Sequence, residues 1–374
     1  MPGWELINHK EKKSLLSLFN EGGCLFAHGF EKYRKRFHVR EFEKNIKNRF
    51  KSKYCVAVSS GTAAIKIALK ALGVKRNDEV ITQCFNFVAT VEAIIDIGAK
   101  PIICNIDSSL NMCPKDLKKK ITKKTKAIIP VHMLGVSCDM QKIKKIAKNK
   151  SIKILEDNCE SVGGKYGKKF LGNVSNIGVL SFDFSKTITT GEGGAILTNN
   201  KKLYKFCKEY HDHGHQNNKK FSRGRDTVEY AGFNYRMTEM QAIIGKAQLK
   251  KLTFILKENK KRHRLINDIL KNKFTIREIN KNSTSIYDTF IFKVGSISKK
   301  KSIIKFLKKN LGTKNLPDAI KWHCSYYWKH MLSKKEIRNS FKGKQLLEQH
   351  IAIPILLRKS LSSYKFVANK INNI

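Results

Sequence analysis

Apolar positions along the chain follow two different periods, and the alternation between them predicts the architecture. Seven short runs rich in Val, Ile and small residues, at 54–60, 79–83, 101–106, 127–133, 153–157, 179–184 and 195–198, read as strands. Several are apolar throughout, the pattern of strands whose two faces are both covered by helices in a mainly parallel sheet. Helix-period segments lie between and after them. In 63–72, Ile65, Ala68, Leu69 and Leu72 share one face, and in 239–252 the same is true of Met240, Ile243, Ile244, Ala247 and Leu252. The expected fold is therefore three-layered α/β, with a long helix over 238–270 carrying the chain out of the sheet domain. Beyond it the pattern changes to short strands at 274–278 and 289–294, a helix at 302–311 and a looser aromatic stretch holding Pro317, Trp322, Tyr326, Tyr327 and Trp328. We read residues 1–250 as a large domain and 251–374 as a smaller C-terminal one, with about the first 25 residues packing on the latter.

Composition narrows the class. With 374 residues, 41% hydrophobic and only 6 Pro, the chain is globular and long enough for a large core without staples. Its formal charge of +45 would suit nucleic acid or an anionic surface. Of the 75 basic residues only 13 are Arg, so 62 are Lys, scattered in short clusters such as Lys118–Lys120. Base reading relies on arginine forks, so the pattern argues against a nucleic-acid partner and leaves a surface that attracts small anions. The nine cysteines are odd in number and show no CxxC spacing, which reads as reduced thiols. No apolar run approaches the length of a membrane span, and the expected location is the cytoplasm, without membrane association.

Four strings stand immediately after strands, where open parallel sheets bind their ligands. Ser59-Ser60-Gly61-Thr62-Ala63-Ala64 joins a strand to a helix with small residues, the make-up of either a phosphate cradle or an ordinary N-cap. Leu155-Glu156-Asp157-Asn158 sets a carboxylate at the end of an apolar strand with no adjacent Lys or Arg, so that a cationic ring nitrogen would suit it. Ser181-Phe182-Asp183-Phe184-Ser185-Lys186-Thr187 places one lysine between a strand and the turn Gly191-Glu192-Gly193-Gly194. Desolvation there would lower its amine pKa and make it a Schiff-base nucleophile. Gly232 to Ala242 is a polar loop closed by a capping box of Thr238 and Gln241. Together the four describe the apparatus that pyridoxal 5'-phosphate requires.

In order and spacing these strings resemble the DegT/DnrJ/EryC1/StrS family of sugar aminotransferases, over nearly the whole chain. The resemblance implies the aspartate-aminotransferase type fold (fold type I), a homodimer with shared active sites, and pyridoxal 5'-phosphate as cofactor. It implies that Lys186 carries the cofactor and moves the proton during catalysis, and that Asp157 partners the ring nitrogen. Gly61, Thr62 and Ser181 would hold the phosphate, Phe87 would stack on the ring, and Asn234 would reach the phosphate of the neighbouring subunit. Glu160 stands where many members carry Gln or His near the cofactor hydroxyl. A subset of the family has His in place of the lysine and dehydrates its substrate, so Lys186 points to transamination. Glutamate would donate to a keto or aldehyde sugar in cell-surface polysaccharide or lipopolysaccharide synthesis. The substrate is either a nucleotide-linked keto sugar or, by similarity of Met1 to Leu6, 181–199 and 211–215 to the 8-amino-3,8-dideoxyoctulosonate transaminase branch, a free acidic octulosonate. A dehydratase or lyase of the same fold and, more distantly, a lysine-rich nucleic-acid-binding protein are the competing readings.

Two histidine features are set apart. His211, His213 and His215 alternate as metal ligands might, but Gly214 and the polar residues that follow suggest a substrate-facing loop with no metal. His132 matches a family histidine near the active site, or else is a satisfied buried histidine.

Overall fold

A computed structural model describes residues 3–218 and 220–374. Its centre is a seven-stranded sheet of β1 Tyr54–Val58, β2 Glu79–Gln83, β3 Lys100–Cys104, β4 Thr125–Ile129, β5 Lys153–Asp157, β6 Ile177–Ser181 and β7 Gly194–Thr198. The spatial order is β1-β7-β6-β5-β4-β2-β3, parallel except for β7, which runs antiparallel to both its neighbours. Each strand falls within a few residues of its expected run. The short strands buried on both sides follow from their sequences: in β1, Val56 and Val58 enter one apolar cluster while Cys55 and Ala57 enter another.

One layer of helices contains α3 Gly61–Ala71, α4 Val88–Asp96 and α7 Lys201–Tyr210. The other contains α2 His38–Phe50, α5 Pro114–Lys120, α6 Met140–Asn149 and the first half of α8 Glu239–Leu270. Helix α8 starts at the expected capping box, with Thr238 accepting from Gln241 N and the Gln241 side chain accepting from Thr238 N. Its far end joins a third cluster formed by the antiparallel pair β8 Thr289–Lys293 and β9 His350–Pro354 with α9 Ile297–Asn310 and α10 Leu361–Asn373.

Three local expectations are corrected. Residues 274–278 form no regular strand; they meet the edge of β8 in a single bridge of Ile276 with Phe292, made by Arg277 N donating to Ile291 O at 2.9 Å and Lys293 N donating to Thr275 O at 2.8 Å. The 302–311 helix begins earlier, at Ile297, where Ser296 caps it by accepting from Lys299 N. The aromatic stretch is a series of short turns that folds back over the carboxyl edge of the sheet, bridging Phe85 through Cys324. All nine cysteines are free thiols, six of them buried.

The N-terminal segment is a strap. Helix α1 His9–Asn20 lies on α8, where Lys251 Nζ donates to Leu6 O and Glu11 Oε1. Ahead of it Glu5 accepts from Leu357 N, and Gly3 N donates to Lys186 O at 3.2 Å. A Cβ on Gly3 would lie 2.7 Å from that oxygen, so only glycine permits the approach.

Candidate active site

The carboxyl ends of β1, β5 and β6 open into a cavity of about 650 Å³. Of the eight residues singled out by sequence, seven line it: Gly61, Thr62, Phe87, Asp157, Glu160, Ser181 and Lys186. The eighth, Asn234, does not; it is exposed on the loop before α8.

The floor is built by the turn from β1 into α3. Ser60 caps α3 by accepting from Ala63 N at 3.0 Å, leaving the neighbouring helix N–H groups at the cavity. Gly61 abuts the end of β6: an added Cβ would stand 2.9 Å from Ser181 Cβ and 3.3 Å from Cys159 Sγ. The backbone thus comes close enough to present its dipole to an anion.

Asp157, the last residue of β5, is 3% exposed. Its carboxylate accepts from Thr90 Oγ1 at 2.9 Å and from Cys159 N at 3.1 Å, and among the described residues it pairs with no Lys, Arg or His. A buried carboxylate held only by neutral donors is costly unless a cation joins it. Its open side faces the cavity.

Lys186 follows β6 in a turn held by Asp183, whose Oδ1 accepts from Ser185 N and Oγ. Its side chain reaches Glu160, with Nζ donating to Oε1 at 2.5 Å. This corrects the expected effect of burial on the lysine. Desolvation does press the amine pKa down, but the carboxylate of Glu160, with Cys159 and Asp183 adding to it, raises it above the usual lysine value. Reciprocally, burial pushes Glu160 up, yet Lys186, His323 and Lys314 hold it down at about 2.

The roof was not singled out from the sequence as site-forming. Thr313, Lys314, Asn315, Ile320, Trp322 and His323 close over the cavity from the stretch after α9. His323 is 7% exposed, its ring centre 5.2 Å from that of Phe87, and its Nδ1 has no partner among the described residues. Burial drops its pKa to about 4, so the ring is neutral at physiological pH. Trp322 is 61% exposed at the mouth, 6.4 Å from Phe87. The only sequence signal for this roof was an aromatic run without a period.

His132 lies elsewhere. It is fully buried, its ring Nε2 3.3 Å from Glu156 Oε2, and its Nδ1 accepts from Cys138 N. Glu156 also accepts from Gly172, Val174 and Ser175 N–H groups, so the pair pins the loop after β5 rather than a substrate. His211, His213 and His215 line no part of the main cavity, contrary to a substrate-facing loop within this subunit. His211 is buried against His28 and has its pKa lowered to about 4 by burial, while the exposed His213 sits at φ 55°. Among the described residues no three metal-binding side chains gather, and no helix is long and apolar enough to cross a membrane.

Comparisons with known proteins agree on one relationship. The sequence profile of the DegT/DnrJ/EryC1/StrS aminotransferase family matches residues 30–372. The chain is 37% identical over 255 residues to GDP-perosamine synthase of Escherichia coli O157:H7, spanning 68% of each chain. It is 34% identical over 255 residues to 3-oxo-glucose-6-phosphate:glutamate aminotransferase of Bacillus subtilis, covering 68% of this chain and 55% of that one. The crystal structure of NtdA from Bacillus subtilis with its cofactor PMP bound superimposes with a TM-score of 0.82 at 26% identity, over 99% of this chain and 83% of the other.

Proposed function

The chain belongs to the DegT/DnrJ/EryC1/StrS aminotransferase family, whose members are pyridoxal phosphate enzymes, and from that premise we propose that it moves an amino group from glutamate to a keto or aldehyde sugar destined for cell-surface polysaccharide. The observation that carries the reading is the pairing, in one cavity, of Asp157, a buried carboxylate without a cation, and Lys186, above a helix N-terminus too tight for a side chain.

The residues fit the cofactor by their chemistry. Gly61 and Thr62 at the start of α3, with Ser181, would bind the phosphate. Asp157 would pair with the ring nitrogen and keep it protonated, Phe87 would lie against the ring, and Lys186 would hold the aldehyde carbon. Bound there, pyridoxal phosphate supplies an electron sink for the carbon that gives up its proton. The chain's own part is to position and to shuttle: once displaced by the amino donor, the Lys186 amine would take that proton from the donor carbon and deliver it to the cofactor's aldehyde-derived carbon. The neutral ring of His323 and the exposed face of Trp322 would meet the sugar, the latter as an apolar platform.

Within one subunit the cavity wall carries Asp157, Glu160, Asp183 and Glu192 against Lys186 and Lys314, and Lys314 is already paired with Asp288 at 2.7 Å. An acidic sugar or a sugar nucleotide therefore needs basic groups from outside this wall. A second copy of the chain would supply them together with Asn234, so we propose a homodimer with shared sites. Nine free thiols fit the reducing cytoplasm.

The test is amino transfer itself. Purified protein loaded with pyridoxal phosphate should convert glutamate and a nucleotide-linked keto sugar or an oxidised octulosonate to 2-oxoglutarate and the amino sugar, in equal amounts. Sugar consumption without 2-oxoglutarate would replace transamination by elimination.

A further inference from the structure

The contact between Lys186 and Glu160 is more than a neighbourly ion pair. Glu160 is 2% exposed and Lys186 8% exposed, and they stand 2.5 Å apart. The second carboxylate oxygen of Glu160 accepts from Asn315 Nδ2 at 3.3 Å. The carboxylate is thus fixed from two directions, by the lysine rising from the β6 turn and by an amide from the roof. A salt bridge on the surface would be screened and weak, whereas this one works in a dry site where a charge partner controls protonation. The other titratable groups facing the pair are His323 and Lys314 on the roof side, Cys159 beside Glu160, and Asp183 in the lysine turn.

We propose that Glu160, held by Asn315 on its other oxygen, is a positioning residue that sets the protonation of the Lys186 nitrogen and aims it into the cavity. A lysine attacks a carbonyl only as the free amine, so Glu160 decides the pH at which Lys186 becomes reactive. The sign follows from the geometry: removing the carboxylate leaves desolvation unopposed, and the amine should lose its proton at lower pH. The functional meaning rests on the reading of Lys186 above, but the pair itself can be tested without cofactor or turnover.

The experiment is competitive acetylation of the full-length protein with acetic anhydride across alkaline pH, the label on the Lys186 peptide being read by mass spectrometry against exposed lysines. In wild type the Lys186 midpoint should lie above that of the surface lysines. In Glu160→Gln it should fall by at least about one pH unit, so that labelling at about pH 8 rises roughly tenfold. Glu160→Asp, which keeps the charge on a shorter arm, should fall between the two and serves if the Gln variant does not fold. Equal midpoints in wild type and either folded variant would overturn the proposal, whatever the fate of the aminotransferase reading. A lowered midpoint in a protein that binds no pyridoxal phosphate would uphold the pair and sink the function.

Discussion

Asp157→Asn separates a carboxylate kept for a ligand from one kept for the fold. The side chain is nearly isosteric, and its two hydrogen bonds, from Thr90 Oγ1 at 2.9 Å and Cys159 N at 3.1 Å, can both be retained, because the hydroxyl can turn to accept from the new amide. Without cofactor, the substitution removes a buried charge that no cation compensates, so the apo-protein should melt at the same temperature as wild type or higher. With cofactor the sign reverses. The lost contact is a hydrogen bond between charged groups, worth about 1.5–3 kcal/mol, which weakens binding by about tenfold to a hundredfold. A ligand at about 100 times its Kd stabilises a fold by about 2.7 kcal/mol, and a hundredfold loss leaves only about 0.4 kcal/mol of that. The assay is titration calorimetry with pyridoxamine phosphate, which cannot bond to Lys186, beside thermal melts with and without it. A destabilised apo-protein that binds pyridoxamine phosphate as tightly as wild type would refute the reasoning and make Asp157 structural.

Gly61→Ala should cost about 1–3 kcal/mol of stability from the 2.9 Å approach to Ser181 and should release the phosphate end of the cofactor, checked by denaturant unfolding and by cofactor retention on gel filtration. His132→Ala should destabilise by about 3 kcal/mol, toward the lower end for a broken buried pair because three backbone N–H groups still hold Glu156, and should leave pyridoxamine phosphate affinity unchanged in the folded fraction. Burial raises the Glu156 pKa, but His132 and those N–H groups outweigh it and lower it overall, so its contribution is present above the unfolded carboxylate pKa and lost as pH falls through the folded one; the variant's stability should therefore fall less steeply on acidification than wild type's. Mixing Asn234→Ala with Lys186→Ala protein should restore part of the turnover, since one hybrid site carries both native residues; no recovery after proven subunit exchange would count against shared sites.

Much of the architecture was legible because the chain's periods are clean. The strand holding Ile128 sits in an unbroken apolar run, and Thr238 with Gln241 announces the start of α8 within one residue. The floor of the site was legible for a related reason: Gly61, Asp157, Ser181 and Lys186 all lie at or just beyond strand ends, and a parallel sheet brings strand ends to one edge. The roof was not. Asn315, Trp322 and His323 lie on a stretch without a period, and only the fold sets Asn315 against Glu160 and the two rings against Phe87. Nor could sequence spacing give the charge state of Lys186, which depends on Glu160, 26 residues away, arriving within 2.5 Å. His132 shows the converse. Its place at a strand end suits a site, but its partner Glu156 projects from the neighbouring strand β5 and draws it into the interior.

Everything in the proposed function turns on whether Lys186 carries pyridoxal phosphate and whether glutamate unloads its amine there. The direct measurement is the visible absorption spectrum of the protein reconstituted with pyridoxal phosphate, followed before and after adding glutamate, with borohydride reduction and peptide mapping of the yellow form. The protein should be yellow, with its cofactor trapped on Lys186, and should bleach to the pyridoxamine form once glutamate is added. A protein that stays colourless, or one whose cofactor is trapped on a different lysine, would contradict it.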